Sequence, residues 1–301
     1  MSVRLQFTAP KRLPVVETEL MRSVMERTMA VHKGGTQIVV YTGPSRNGKT
    51  TTSEHMMRQL EAQASDPHAF RAAYHAMPEV SLGTGHEQKR AIGSLYEGVI
   101  GRLDGGVYRQ ARVEVLAGDL VHGLRQRNIQ MVFVDEACGL SIGALTGLKY
   151  VVDAAGMARR RWPLTLVLIG MGQLPIRVHE LPQIRNRIAD TCYFQPYSIE
   201  DTWTILAGLH PHFATLQRDD PEHFSQVEGV HHASGGLPGL MVPFLDRLDH
   251  QAETLGEPIT SRLVRVTQLL RNQDEHRAIE AARTGYRDSI PADDPIRTEG
   301  A

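Results

Sequence analysis

Hydrophobic residues recur in two periods along this chain. Between residues 15 and 33, Leu20, Met21, Val24 and Met25 fall at helical spacing, and "KGG" ends the run. "TQIVVYT", residues 36–42, is β-branched and continuous, the pattern of a strand covered on both faces. The segment after Lys49 is helical again. "FRAAYHAM" (70–77) reads as a strand, 86–103 and 111–127 as helices, and "IQMVFVD" (129–135) as a buried strand. Residues 141–160 follow as a helix, then "PLTLVLIG" (163–170) and "DTCYFQPY" (190–197) as strands. Strands alternating with helical stretches predict a parallel sheet with helices on both faces.

Past residue 198 the strand pattern stops. Stretches 198–210, 221–234, 237–254 and 259–271 are helical, parted by turns at "HPH", "SGGLPG" and "LGEP". The expected organisation is therefore an N-terminal segment (1–35), an α/β core (36–197) with a five-stranded parallel sheet, and a small helical lid (198–271). The last thirty residues, 272–301, are charged and poor in large apolar side chains. They are expected to stay mobile or to order only against a partner.

Composition narrows the function classes. The chain has 301 residues, 41% hydrophobic and 22% charged, with a formal net charge of −1. No global positive field draws it to nucleic acid or anionic membrane, so such binding needs a local basic patch. Two cysteines, Cys138 and Cys192, have no paired spacing, which argues against a disulfide framework or a zinc site. The fourteen histidines include "HPHF" and "VHHAS", neither with a cysteine or carboxylate at ligand spacing. The first residues lack a signal-peptide core, and runs such as "LVLIGMG" are too short to span a bilayer. The cytoplasm is the expected compartment.

The chemistry lies in "GPSRNGKTT", Gly43 to Thr51, between a strand and a helix. It fits G-x-x-x-x-G-K-[ST] through Gly43, Gly48, Lys49 and Thr50. The glycines let the backbone curl so that successive N–H groups face phosphate oxygens, and the helix that follows turns its positive end to the anion. Pro44, Ser45, Arg46, Asn47 and Thr51 complete the expected nucleotide contacts. Lys49 neutralises phosphate charge, and the Thr50 hydroxyl is placed to ligate Mg²⁺. "MVFVDEA" ends a buried strand with Asp135 and Glu136. Asp135 is expected in the magnesium shell and Glu136 as the acceptor of the attacking water's proton. Gln173 follows the next strand and is a candidate for contacting the terminal phosphate or the water. Arg185 and Arg187 precede the last strand, as solvated helix-end charges or as fingers reaching a neighbour's nucleotide, Arg187 in particular. A monomeric P-loop kinase is an alternative, but adjacent Asp135 and Glu136 suit water activation better than phosphate transfer to an acceptor. A rarely hydrolysing signalling switch is another; it calls for repeat domains that are not visible.

In their order, these residues resemble the AAA+ ATPases over roughly residues 15–270. The wording of "IVVYTGPSRNGKT", "VFVDE", "IGMGQ" and "RNRI" resembles the TniB/TnsC group of transposition regulators, relatives of MuB and the IstB-type helper ATPases. The resemblance implies an ATP- and Mg²⁺-dependent switch that forms a homo-oligomeric ring or filament on duplex DNA without sequence readout. It further implies a transposase and a TniQ-type targeting protein as partners. In that group DNA contacts lie between the second and third strands; here that region holds Lys89, Arg90, Arg102, Arg109 and Arg112. "ARRRW" (158–162) is the densest basic run and is expected on a surface turn. One departure stands out. Many AAA+ lids carry an arginine in a G-x-x-R motif, yet Ser234 to Met241 contains none. A helicase-loader-like adaptor of the same fold remains the alternative within the family.

Overall fold

The computed structural model describes residues 14–63, 71–77, 86–101, 111–157, 162–270, 275–277 and 279–280. Five strands, β1 (Gln37–Thr42), β2 (Arg71–Ala76), β3 (Ile129–Asp135), β4 (Thr165–Gly170) and β5 (Ile188–Tyr193), form one sheet in the order β2-β3-β4-β1-β5. Every pairing is parallel. The continuous apolar runs occupy the three inner strands, where both faces are covered. The edge strands β2 and β5 are only half-buried, in keeping with their weaker patterns.

Side chains alternate between two cores, as the period of a strand requires. Val40, Val132, Val134, Leu166 and Leu168 meet α3 (Glu87–Val99), α4 (Val113–Gln126) and α5 (Ile142–Met157) on one face. Val39, Tyr41, Met131, Phe133 and Ile169 meet α1 (Glu19–Gly34) and α2 (Lys49–Gln63) on the other. Between β4 and β5 run two short helices, α6 (Gln173–His179) and α7 (Pro182–Arg185). After β5 come α8 (Ile199–Leu209), α9 (Pro211–Ala214), α10 (Pro221–Ser234), α11 (Pro238–Leu255) and α12 (Ser261–Leu269). They bury a core of their own around Trp203, Leu206, Phe213, Val230, Phe244 and Leu248.

Four expectations need correction. The first helix starts at Glu19, not residue 15, because Thr18 caps it by accepting from the Met21 N–H at 3.3 Å. Pro14 to Thr18 lie outside any helix or strand. The last strand starts two residues earlier than its apolar pattern, since the Ile38 N–H bonds to the Arg187 carbonyl and pairing begins at Ile188. Residues 194–197, read as the end of that strand, form a connector. Finally, the tail is anchored at its start. Glu275 pairs with both terminal nitrogens of Arg247 (2.7 and 3.1 Å), and Ile279 is buried against Leu237 and Leu240. One apolar side chain and one bidentate ion pair suffice there, although the average composition is polar. Residues 281–301 and the basic run 158–161 lie outside the described residues. Among the described residues no helix is long and apolar enough to cross a membrane.

Candidate functional site

The loop from Gly43 to Gly48 leaves the carboxyl end of β1, an inner strand, and runs into α2. Two glycines make this possible. Gly43 has φ +152°, and a Cβ there would lie 2.3 Å from the Phe194 carbonyl oxygen; Gly48 has φ +78°. Asn47 is buried and fastens the loop to the connector after β5, donating to the carbonyls of Phe194 (2.8 Å) and Gln195 (2.7 Å). The first turn of α2 carries no acid, so its dipole faces the loop unopposed.

Lys49 is buried and donates to the carbonyls of Gly43 (2.9 Å) and Pro44 (2.5 Å). Burial pushes its pKa down to about 8, partly offset by Asp135 and Glu136. The ammonium is thus held in the loop, short of anionic partners. Thr50 donates to Asp135 Oδ2 at 2.7 Å, bringing the end of β3 to the start of α2. Asp135 Oδ1 accepts the Glu136 N–H at 2.7 Å. Thr50 and Asp135 are hard oxygen donors side by side, the type that a magnesium ion takes. Glu136 is exposed at the cleft, with φ +57°.

Two residues of this site escaped the sequence reading. Tyr74 of β2 donates its hydroxyl to the same Asp135 oxygen as Thr50. Register explains it: Tyr74 sits beside Phe133, so it shares a face with Asp135 two residues on. Arg177 of α6 donates to the carbonyls of Cys138 and Leu140, pinning the turn after Asp135 and Glu136. Its only signal was a basic residue after β4, too weak to separate it from a surface charge.

A cleft of about 750 Å³ spans the loop, the strand ends and the helices after β5. Ser45 to Thr51, Asp135, Glu136, Gly170 and Met171 form its polar end. Val15, Val16, Ile205, Leu209 and Val242 form an apolar end. α11 closes it from above: the Gly239 N–H donates to the Arg46 carbonyl at 3.0 Å.

The remaining candidates stand elsewhere. Gln173 is exposed on α6 and outside the cleft lining, where Gly170 and Met171 take that wall. Arg185 and Arg187 are exposed at the amino edge of β5, away from the cleft of their own chain. Arg187 Nε pairs with Asp153 at 2.9 Å, and Lys149 pairs with the same carboxylate at 2.5 Å. Arg90 and Arg112 are exposed, on α3 and at the start of α4, and Lys89 is half-buried. Arg102 and Arg109 lie outside the described residues.

The parallel sheet, the phosphate loop at the end of its inner strand and the acid pair at the next strand but one define an α/β P-loop protein of the AAA type. Residues 32–177 match the family model described as "AAA domain". Among solved structures the chain is similar to the Aeropyrum pernix ORC2 protein in its ADPNP–ADP complexes: TM-score 0.63, 17% identity, covering 89% of this chain and 73% of that one. It is also similar to Drosophila ORC bound to DNA, with TM-score 0.56 and 16% identity over 98% of this chain and 79% of that one. The Aeropyrum pernix ORC1 protein in complex with DNA aligns with TM-score 0.52 and 18% identity over 94% of this chain and 71% of that one. No curated protein sequence matches the chain.

Proposed function

We propose that this protein is an ATPase that works as a nucleotide-driven switch, assembling as a homo-oligomer on duplex DNA. The observation that carries the reading is the Thr50–Asp135 contact at 2.7 Å beside a buried Lys49, at the polar end of a lidded cleft. The cleft has an apolar end for a base and a cationic loop for phosphates. Lys49 and the loop amides hold the phosphate chain, and Thr50 and Asp135 would hold Mg²⁺. When bound, that ion would supply charge neutralisation at the phosphates. Glu136 takes a proton from a water whose oxygen bonds to the terminal phosphorus. The bond from that phosphorus to the bridging oxygen breaks, leaving ADP and phosphate. Tyr74 and the Glu136 amide fix Asp135 while this happens. Arg187, remote from its own cleft, serves a neighbouring subunit's nucleotide.

Two observations support DNA as the partner. Solved proteins of this fold include complexes with DNA. In this chain Arg90 and Arg112 offer exposed charge, and the sequence between the second and third strands also holds Lys89, Arg102 and Arg109. A ring repeats such modest contacts in every subunit, so affinity sums and falls steeply with salt. Within this class we assign the chain to transposition, recruiting a transposase with a TniQ-type partner; support for that finer step is the loop and strand-end wording alone.

The test measures ATP turnover and particle size with and without duplex DNA, at low and high salt. DNA-dependent assembly with ATP, lost at high salt, is expected. No response to DNA, with phosphate passed to a small acceptor, would overturn the switch. Retention of transposase on the DNA-bound assembly tests the finer step, and retention of a replicative helicase instead refutes it.

A further inference from the structure

Three cations line the cleft: Arg46, Lys49 and Arg58. Two of them are engaged. Lys49 donates to the loop carbonyls, and Arg58 pairs with Glu54 at 2.9 Å. Among the described residues the Arg46 guanidinium has no hydrogen-bond or ion-pair partner. Its backbone is unusual as well. Three described non-glycine residues have positive φ: Arg46 (+64°), Asn128 (+54°) and Glu136 (+57°). Asparagine tolerates that region; arginine and glutamate enter it less readily, and both of these line the same cleft. Such strain persists where a side chain gains something in return.

No cation of α11 or of the loop before it lines the cleft. Where α11 starts it presents Gly239, whose missing side chain leaves the space that Arg46 fills: a Cβ at 239 would lie 2.7 Å from Arg46 Cβ. The phosphate loop therefore carries its free cation at the seam between loop and lid.

Building on the nucleotide-binding reading above, we propose that Arg46 is the residue by which the cleft tells a nucleoside triphosphate from a diphosphate. Its guanidinium bonds the terminal phosphate in the same subunit, in place of any cation from the lid. Its carbonyl, held by the Gly239 N–H, ties that contact to the position of α11. A charge-assisted bond of this kind favours the triphosphate about tenfold or more.

The experiment compares the affinities of the full chain for ADP and for a non-hydrolysable ATP analogue by titration calorimetry, with the melting temperature of each variant recorded. Arg46→Asn keeps a residue that accepts positive φ, so its Tm is expected within about 2 °C of wild type. Its preference for the triphosphate over the diphosphate should fall about tenfold. Arg46→Lys, which restores charge, should recover part of that preference. An unchanged triphosphate-to-diphosphate ratio in Arg46→Asn, with binding lost in Lys49→Ala, overturns the role of Arg46 alone. Failure of the wild-type chain to bind either nucleotide overturns both readings.

Discussion

Replacing Gly239 with alanine tests the seam between loop and lid. In an open helix the change gains stability, about 0.5–1 kcal/mol, because alanine loses less backbone freedom. At Gly239 the new Cβ would stand 2.7 Å from Arg46 Cβ, 3.1 Å from its carbonyl oxygen and 3.2 Å from its Cα. Unstrained carbons sit about 3.5–4.0 Å apart, so lid and loop must part by about 1 Å. Two of the three clashing atoms are backbone, and rotating a side chain cannot relieve them. Overpacking of this kind costs about 1–3 kcal/mol. Stretching the 3.0 Å bond from the Gly239 N–H to the Arg46 carbonyl removes about 1 kcal/mol more. The clash outweighs the helical gain, and the net loss is about 1–3 kcal/mol. In a chain of this size that lowers Tm by about 2–5 °C. Nucleotide affinity should fall with it, since α11 forms a wall of the cleft. Gly156→Ala is the control: it lies in α5 with nothing within 4 Å of its Cβ position, and its Tm should hold or rise. A Gly239→Ala protein as stable as that control, binding nucleotide as wild type does, would refute the seam.

Three further expectations can be checked directly. The folded pKa of Lys49, about 8, lies below its ordinary 10.5. Its buried charge therefore opposes folding below pH 8, and the penalty fades as pH rises from about 8 to 10.5. Bound phosphate restores the charge, so at pH 9 nucleotide binding should take up close to one proton, against about 0.1 at pH 7. Calorimetry in buffers of different ionisation enthalpy reads that number; no uptake at pH 9 would place Lys49 away from the phosphates. Glu136→Gln should leave ATP bound and uncleaved and the assembly long-lived, and unaltered turnover would move the base elsewhere. Arg187→Ala gives up an exposed ion pair with Asp153, worth under about 1 kcal/mol, so Tm should barely change. Turnover should drop in the oligomer and partly return on mixing with Lys49→Ala protein; equal loss at dilutions where the chain is monomeric would end the role across subunits.

Much of the fold was legible because buried parallel strands advertise themselves. "QIVVYT", "IQMVFVD" and "TLVLIG" are apolar for lack of any wet face, and each forms an inner strand. β5 was misplaced by two residues because an edge strand need not be apolar throughout, and its start follows from backbone pairing with Ile38. α6 and α7 went unseen, being one or two turns long, too short for a helical period to register. In the site, local spacing brought out Gly43, Gly48, Lys49 and Thr50, and a strand-end acid brought out Asp135 and Glu136. Tyr74 was hidden, since a tyrosine on a weak edge strand has no signature until register sets it beside β3.

What the linear chain determined is whatever depends on neighbours a few residues apart: strand and helix periods, and a loop whose glycines curl around an anion. Tertiary structure alone decided what depends on distant segments meeting. Thr50 reaches Asp135 across 85 positions of sequence, Arg177 pins the turn after β3, and Gly239 closes on Arg46 from the far end of the chain. The physical reason is that a side chain's partners across a sheet or under a lid are set by strand order and helix packing. Those follow from the sum of all buried contacts, not from any short stretch of residues.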